Sequence, residues 1–134
     1  MTATGCTGLV VVTHGEVGRA LVDVAKFILQ QPLNEVEILS FCQSSVEETG
    51  DADILRAIQR ADGGQGVLVM TDIRGASPYN HVARLVYPGP LALTSGLNLA
   101  MLIRAWNYRN MPPDQLAEMA AEGALRDIRT GQKQ

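Results

Sequence analysis

A histidine stands where a buried strand ends. Leu9-Val10-Val11-Val12-Thr13 is a short apolar run closed by His14-Gly15, and a run of this length bounded by a turn residue reads as a core strand. The imidazole is thereby delivered to the edge of a sheet, where open α/β folds gather their ligands. Imidazole is a nucleophile in its neutral form, and as a side-chain type it has a reference pKa of about 6.5, near neutrality. Asp72 closes another apolar run, Gly66 to Thr71, in the same way. If the two strands are neighbours, the carboxylate reaches one ring nitrogen and fixes the tautomer. The other nitrogen is left unprotonated as the nucleophile, and the positive charge that develops on the ring is steadied. Each residue also has a plainer use: His14 as a strand-end group bonding a carbonyl, Asp72 as a turn former ahead of Gly75. Together they make a candidate site.

The loop Asp72-Ile73-Arg74-Gly75-Ala76-Ser77-Pro78 has small residues at its centre and leads into a helix. Free amides at Gly75 and Ala76, the helix dipole and the Ser77 hydroxyl favour an anion there. Gly15-Glu16-Val17 offers a second set of free amides beside His14, so two helix starts can embrace one phosphoryl group. Ser77 before Pro78 also suits an N-cap residue ahead of a proline at the first helical position, and the two uses are compatible. Arg74 is the cation of this loop; it pairs with a phosphate, with acidic groups on a partner, or with solvent alone. His81, about one turn past Ser77, is a helix-surface histidine within reach of the same crevice. Cys6 and Cys42 lack the spacing of a zinc site or a disulfide framework. Packing is their expected role, and neither a metal nor a cofactor is called for.

The elements that must position these groups alternate in type. Strand signatures cover Gly8 to Thr13, Val36 to Phe41, Gly66 to Thr71 and Leu91 to Ser95. Between the first two, Val17, Ala20, Leu21, Val24, Ala25 and Ile28 repeat at helical spacing and stop near Pro32. Ile54, Leu55 and Ile58 form a shorter stripe that Gly63-Gly64 ends. Val82, Ala83, Leu85 and Val86 follow Ser77-Pro78 as the buried side of a short helix, closed by Pro88-Gly89-Pro90. Leu99, Leu102, Ile103 and Trp106 supply another stripe. After Pro112-Pro113, Asp114 is placed to cap a last helix with Leu116, Met119 and Ala120 inward, and Thr130 to Gln134 reads as a frayed end. Near-continuous apolar strands alternating with helices argue an α/β fold, a three-layer α/β/α with a mainly parallel, four-to-five-stranded sheet. Right-handed crossovers gather the loops Thr13–Gly15, Cys42–Ser45, Asp72–Ser77 and Gly96–Asn98 along one sheet edge.

With 134 residues the chain fits one domain, core 8–109 with a C-terminal helix at about 113–129, and can bury an ordinary core without staples. Eleven Lys and Arg against 14 Asp and Glu leave a net charge of −3, which lacks the basic footprint of nucleic-acid binding. The N-terminus lacks the pattern of a secretory signal, and no apolar run approaches the ~20 residues of a membrane helix. A cytoplasmic protein without direct membrane insertion is expected.

In Thr13-His14-Gly15, in Thr71-Asp72-Ile73-Arg74-Gly75-Ala76-Ser77-Pro78-Tyr79-Asn80 and in Ser95-Gly96-Leu97-Asn98-Leu99-Ala100-Met101-Leu102, the chain resembles the mannose-type enzyme IIA of the bacterial phosphoenolpyruvate:sugar phosphotransferase system. The resemblance runs from Gly8 to about Arg109. It implies a phosphotransferase component in which His14 accepts a phosphoryl group through Nε2 from the carrier HPr and passes it to an enzyme IIB. It implies that Asp72 orients the histidine, that Ser77 contacts the phosphate, and that the protein is a homodimer, often with an exchanged strand. Neutral donors suffice for such a transfer, which needs positioning and charge stabilisation more than covalent help. Arg74 departs from the aromatic or apolar residue usual in that family, Ala76 from a second glycine, Gln43-Ser44-Ser45 from a proline-glycine-acid turn, and Ala100 from a proline. These positions lie on the docking rim, so they bear on the partner, and a regulatory phosphorylation sensor is the variant reading they suggest. Three rival readings stand beside this one. A histidine phosphatase or phosphomutase wants an arginine where Thr13 stands and a late second histidine. In a flavodoxin-like anion-binding module the same crevice holds a small anion that His14 merely ligates, and such a module would take no phosphate label. A receiver domain needs an acidic pair near the end of the first strand.

Overall fold

The computed structural model describes residues 5–41 and 50–131. Strands and helices alternate along it: β1 (Gly8–His14), α1 (Val17–Leu29), β2 (Glu37–Phe41), α2 (Asp51–Ala61), β3 (Val67–Thr71), α3 (Ser77–Ala83), β4 (Leu91–Thr94), α4 (Leu99–Asn107) and α5 (Pro113–Asp127). The four strands form one sheet in the order β2-β1-β3-β4. Every pairing is parallel, with Val12 of β1 opposite Leu39 of β2 and Thr71 of β3. The expected α/β/α layering with a parallel sheet is therefore what the chain adopts, with four strands among the described residues.

Alternate residues of the central strands feed two cores, which is why their sequences are apolar throughout rather than at every second position. Leu9, Val11, Leu68 and Met70 pack with Val22, Ala25, Leu102, Trp106 and Leu116, so α1, α4 and α5 cover one face. Val10, Val12, Val67 and Val69 pack with Ile54, Ala57, Ile58 and Val82 from α2 and α3 on the other. Because all strands run the same way, their carboxyl ends share one edge. His14 is the last residue of β1, and Asp72 follows directly after β3.

Several local expectations need correction. The buried side of α1 is Gly18, Val22 and Ala25, whereas Val17, Ala20, Val24 and Ile28 of the expected stripe are exposed. That helix carries apolar residues on all sides except the Arg19, Asp23 and Lys26 line, so periodicity alone leaves its rotation open. α3 ends at Ala83: the Leu85 N–H turns back to the Val82 carbonyl at 3.1 Å, which leaves Leu85 half-buried and Val86 out in solvent. Ser77 is the first residue of α3 rather than its cap. Ala76 is the N-cap and makes no side-chain bond. Pro112 occupies the cap of α5, placing Asp114 in the first turn, where its charge still favours the helix start. That helix stops at Asp127 rather than 129. Cys6 is half-buried with a free thiol. Cys42, Gln43-Ser44-Ser45 and residues 132–134 lie outside the described residues.

Candidate functional site

His14 and Asp72 meet as their strand positions require, since β1 and β3 are adjacent. The Nδ1 of His14 lies 2.9 Å from Asp72 Oδ2, and the same oxygen accepts the His14 backbone N–H at 3.0 Å. The Ile73 N–H donates to Oδ1, also at 3.0 Å. Burial pushes the Asp72 carboxyl up, but the hydrogen bonds and charge of His14, helped by Ile73, outweigh it and hold the carboxyl below its usual value. An ionised carboxylate offers only acceptors, so the proton of the neutral ring sits on Nδ1 and the Nε2 lone pair is free. The side chain of Asp72 is 11% exposed and that of His14 38%. The carboxylate is sheltered while the ring reaches solvent.

The surrounding backbone fixes this pair. Gly15 takes φ 46°, a left-handed turn that L side chains adopt at a cost, and its N–H bonds the Phe41 carbonyl at 2.8 Å. Thr13, fully buried, accepts the Gly18 N–H on its hydroxyl at 2.8 Å. A Cβ on Gly18 would come within 2.6 Å of Val11 and 2.9 Å of the Thr13 hydroxyl, so glycine lets α1 sit directly on the strand that carries His14. On the other side Gly96 N–H bonds the Asp72 carbonyl at 3.1 Å and Leu97 N–H bonds Thr71 at 2.9 Å. The roles of Thr13 and Gly18 escape sequence reasoning; the only signal is a hydroxyl in an otherwise apolar strand five residues before a glycine.

Gly75, with φ 81°, sits in the loop after Asp72, its carbonyl accepting Asn80 Nδ2 at 2.9 Å. Ala76 is half-buried and Ser77 exposed, and among the described residues the Ser77 hydroxyl has no hydrogen-bond partner. Both stand at the start of α3, on the edge that carries His14. Arg74 is exposed and has no ion pair among the described residues. His81 is not part of the His14–Asp72 pair; its Nδ1 contacts Asp51 at 2.6 Å. No group of three or more metal-ligating side chains occurs among the described residues.

An open parallel sheet presents at its carboxyl edge a histidine whose Nδ1 is held by a sheltered carboxylate, and this architecture is the one to compare with known proteins. Residues 8–122 match the family described as the PTS system fructose IIA component, and the chain belongs to that family, the IIA components of the phosphotransferase system. It is 28% identical over 117 residues to the PTS system mannose-specific EIIAB component of Escherichia coli K12, covering 85% of this chain and 36% of that protein. The chain thus spans about a third of the length of the curated relatives it matches. Among solved structures, the mannose/sorbose-specific IIA subunit from Enterococcus faecalis superposes with a TM-score of 0.82 at 23% identity, over 96% of this chain and 97% of that one. A IIA protein associated with the fucose utilization operon of Streptococcus pneumoniae gives 0.79 at 19% identity, over 97% and 96%. At such identities these structures speak for the fold.

Proposed function

We propose that His14 is the phosphoryl acceptor of this chain, charged by phosphorylated HPr and discharged to an enzyme IIB partner in sugar uptake. The carrying observation is the 2.9 Å contact between His14 Nδ1 and Asp72 Oδ2, which leaves Nε2 as the attacking atom. In the transfer the N–P bond of the donor breaks, its electron pair stays on the donor imidazole, and a new P–Nε2 bond forms on His14. Asp72 holds the charge that attack places on the ring. The Gly75 amide and the Ser77 hydroxyl are the donors this reading assigns to the phosphoryl oxygens, with the Ala76 amide, which makes only a 3.5 Å contact with the Ile73 carbonyl, beside them; the Gly15 amide, expected to be free, is instead taken up by the Phe41 carbonyl, and such preorganised dipoles suit the task without a metal.

A homodimer is part of the same reading. It is supported by Val17, Val24, Phe27 and Ile28, which α1 turns outward, since contiguous exposed apolar surface marks interaction sites. No helix of the described chain is long and apolar enough to cross a membrane, and a cytoplasmic location follows from the proposed donor. The decisive experiment incubates the protein with phosphoenolpyruvate, enzyme I and HPr. Wild type is expected to gain acid-labile phosphate, and His14→Ala to lose the label that maps to residue 14. An unlabelled wild type would refute the assignment.

A further inference from the structure

A second imidazole repeats the His14 arrangement nearby. His81 Nδ1 lies 2.6 Å from Asp51 Oδ1, linking the last turn of α3 to the first residue of α2. Arg84 Nη2 approaches the same nitrogen at 3.0 Å, and its Nε is 3.8 Å from Asp51 Oδ2. A ring nitrogen that close to a carboxylate oxygen carries the proton, because two lone pairs facing each other there repel. Arg84 is itself a donor, so its partner is the carboxylate rather than the ring. The hydrogen bond from His81 is the main cause holding the Asp51 carboxyl below its usual value; burial opposes it and Arg84 reinforces it. Nε2 of His81 is thus the unprotonated nitrogen of the neutral ring, and 27% of the side chain is exposed.

The two imidazoles occupy one face and one end of the sheet. Phe41 is the register partner of His14 across β1 and β2, and paired residues of adjacent strands project to the same side. The Phe41 ring also packs on His81, with centroids 5.2 Å apart. Phe41 therefore adjoins His14 as a strand neighbour and His81 as a ring contact, so the two imidazoles lie on either side of one aromatic ring at the carboxyl end of the sheet.

We propose that His81 is a second phosphoryl acceptor, charged on Nε2 by the same phosphohistidine donor. The identity of that donor rests on the function proposed for His14. The donor N–P bond breaks, its electron pair remains on the donor imidazole, which takes a proton from water, and the Nε2 lone pair of His81 forms the new bond. Asp51 faces the resulting ring charge, and the Arg84 guanidinium supplies N–H donors for phosphoryl oxygens. The carboxylate of Asp51 is 48% exposed against 11% for Asp72, and a charge in water stabilises its neighbour less than a sheltered one. Labelling at His81 is accordingly slower than at His14.

Intact-mass and peptide mass spectrometry at neutral pH, after exposure to phosphoenolpyruvate, enzyme I and HPr, reads this out. Wild type is expected to pass through a one-phosphate to a two-phosphate species. His14→Ala and His14→Gln should both retain one phosphate mapped to residue 81, forming about tenfold or more slowly, each tenfold being about 1.4 kcal/mol of barrier. The double variant His14→Gln, His81→Gln should take none. A wild type that stops at one phosphate on residue 14, with unlabelled His14 variants that melt like wild type, would overturn the second acceptor and leave the first intact. A wild type with no phosphate at all would overturn both, and label on residue 81 alone would support the second while refuting the first.

Discussion

In the His14–Asp72 pair a sheltered carboxylate faces a ring that reaches solvent, 11% against 38% exposed. Asp72 uses both oxygens: Oδ2 for the His14 N–H and Nδ1, Oδ1 for the Ile73 N–H. Its amide isostere cannot hold a full negative charge opposite the ring, and its NH2 group, turned toward Nδ1, would select the wrong tautomer. Asp72→Asn is therefore expected to keep His14 in place yet slow its labelling by about a hundredfold or more, the usual worth of an oriented acid–base partner. Quenched-flow labelling from phosphorylated HPr checks this; a rate within a factor of two of wild type would mean the carboxylate is structural only. This pair was legible in the sequence because each residue closes an apolar run, and a parallel sheet puts such ends on one edge. The Asp51–His81 contact was not legible, because it joins two helices whose relative placement no local pattern encodes.

At the scale of elements, the strands read clearly and the helix rotations did not. Strand identity comes from short apolar or β-branched runs closed by polar or glycine residues, and the ends of all four strands fall within a residue of those runs. α1 shows why helices are harder. Its buried side is Gly18, Val22 and Ala25, chosen because a glycine lets the helix approach β1 closely, and that close approach is a tertiary fact. The apolar residues then left outside include Phe27, 74% exposed, with Val17, Val24 and Ile28 near half. A helix with two apolar sides, one on the sheet and one on solvent, is suited to covering itself against another subunit. Sedimentation equilibrium should show the wild type as a dimer, and Phe27→Asp, which places a charge in the patch without touching the core, should raise the dissociation constant by about tenfold or more. An unchanged constant would move the interface elsewhere, to the half-buried edge strand β4 for instance.

The whole molecule carries its ionisable contacts at both ends of the sheet, and they define how stability varies with pH. At the carboxyl edge Asp72 is depressed by His14 and Ile73 against the opposing effect of burial. At the opposite end burial likewise pushes the Asp62 carboxyl up, and it is held below 3.8 by the Tyr87 hydroxyl and the N–H groups of Gly64 and Gly66. A carboxyl whose folded value is depressed stabilises the fold above its unfolded value, and that contribution fades as pH falls through the folded one. Stability should therefore decline once the solution drops below pH 3.8. Tyr87 works in the other direction: burial, and after it the hydrogen bond and charge of Asp62, raise it from 10.0 to about 12. Its contribution is complete below pH 10.0 and is lost as pH rises toward about 12, because the unfolded phenol ionises first. Tyr87→Phe removes the ionising group and one of the donors that depress Asp62. Urea midpoints followed from acid to alkaline pH should show a lower plateau for Tyr87→Phe, a shallower fall on the acid side, and a weaker decline above pH 10.0 than wild type. Parallel curves for the two proteins above that pH would show that the Tyr87–Asp62 contact contributes nothing to the alkaline limb.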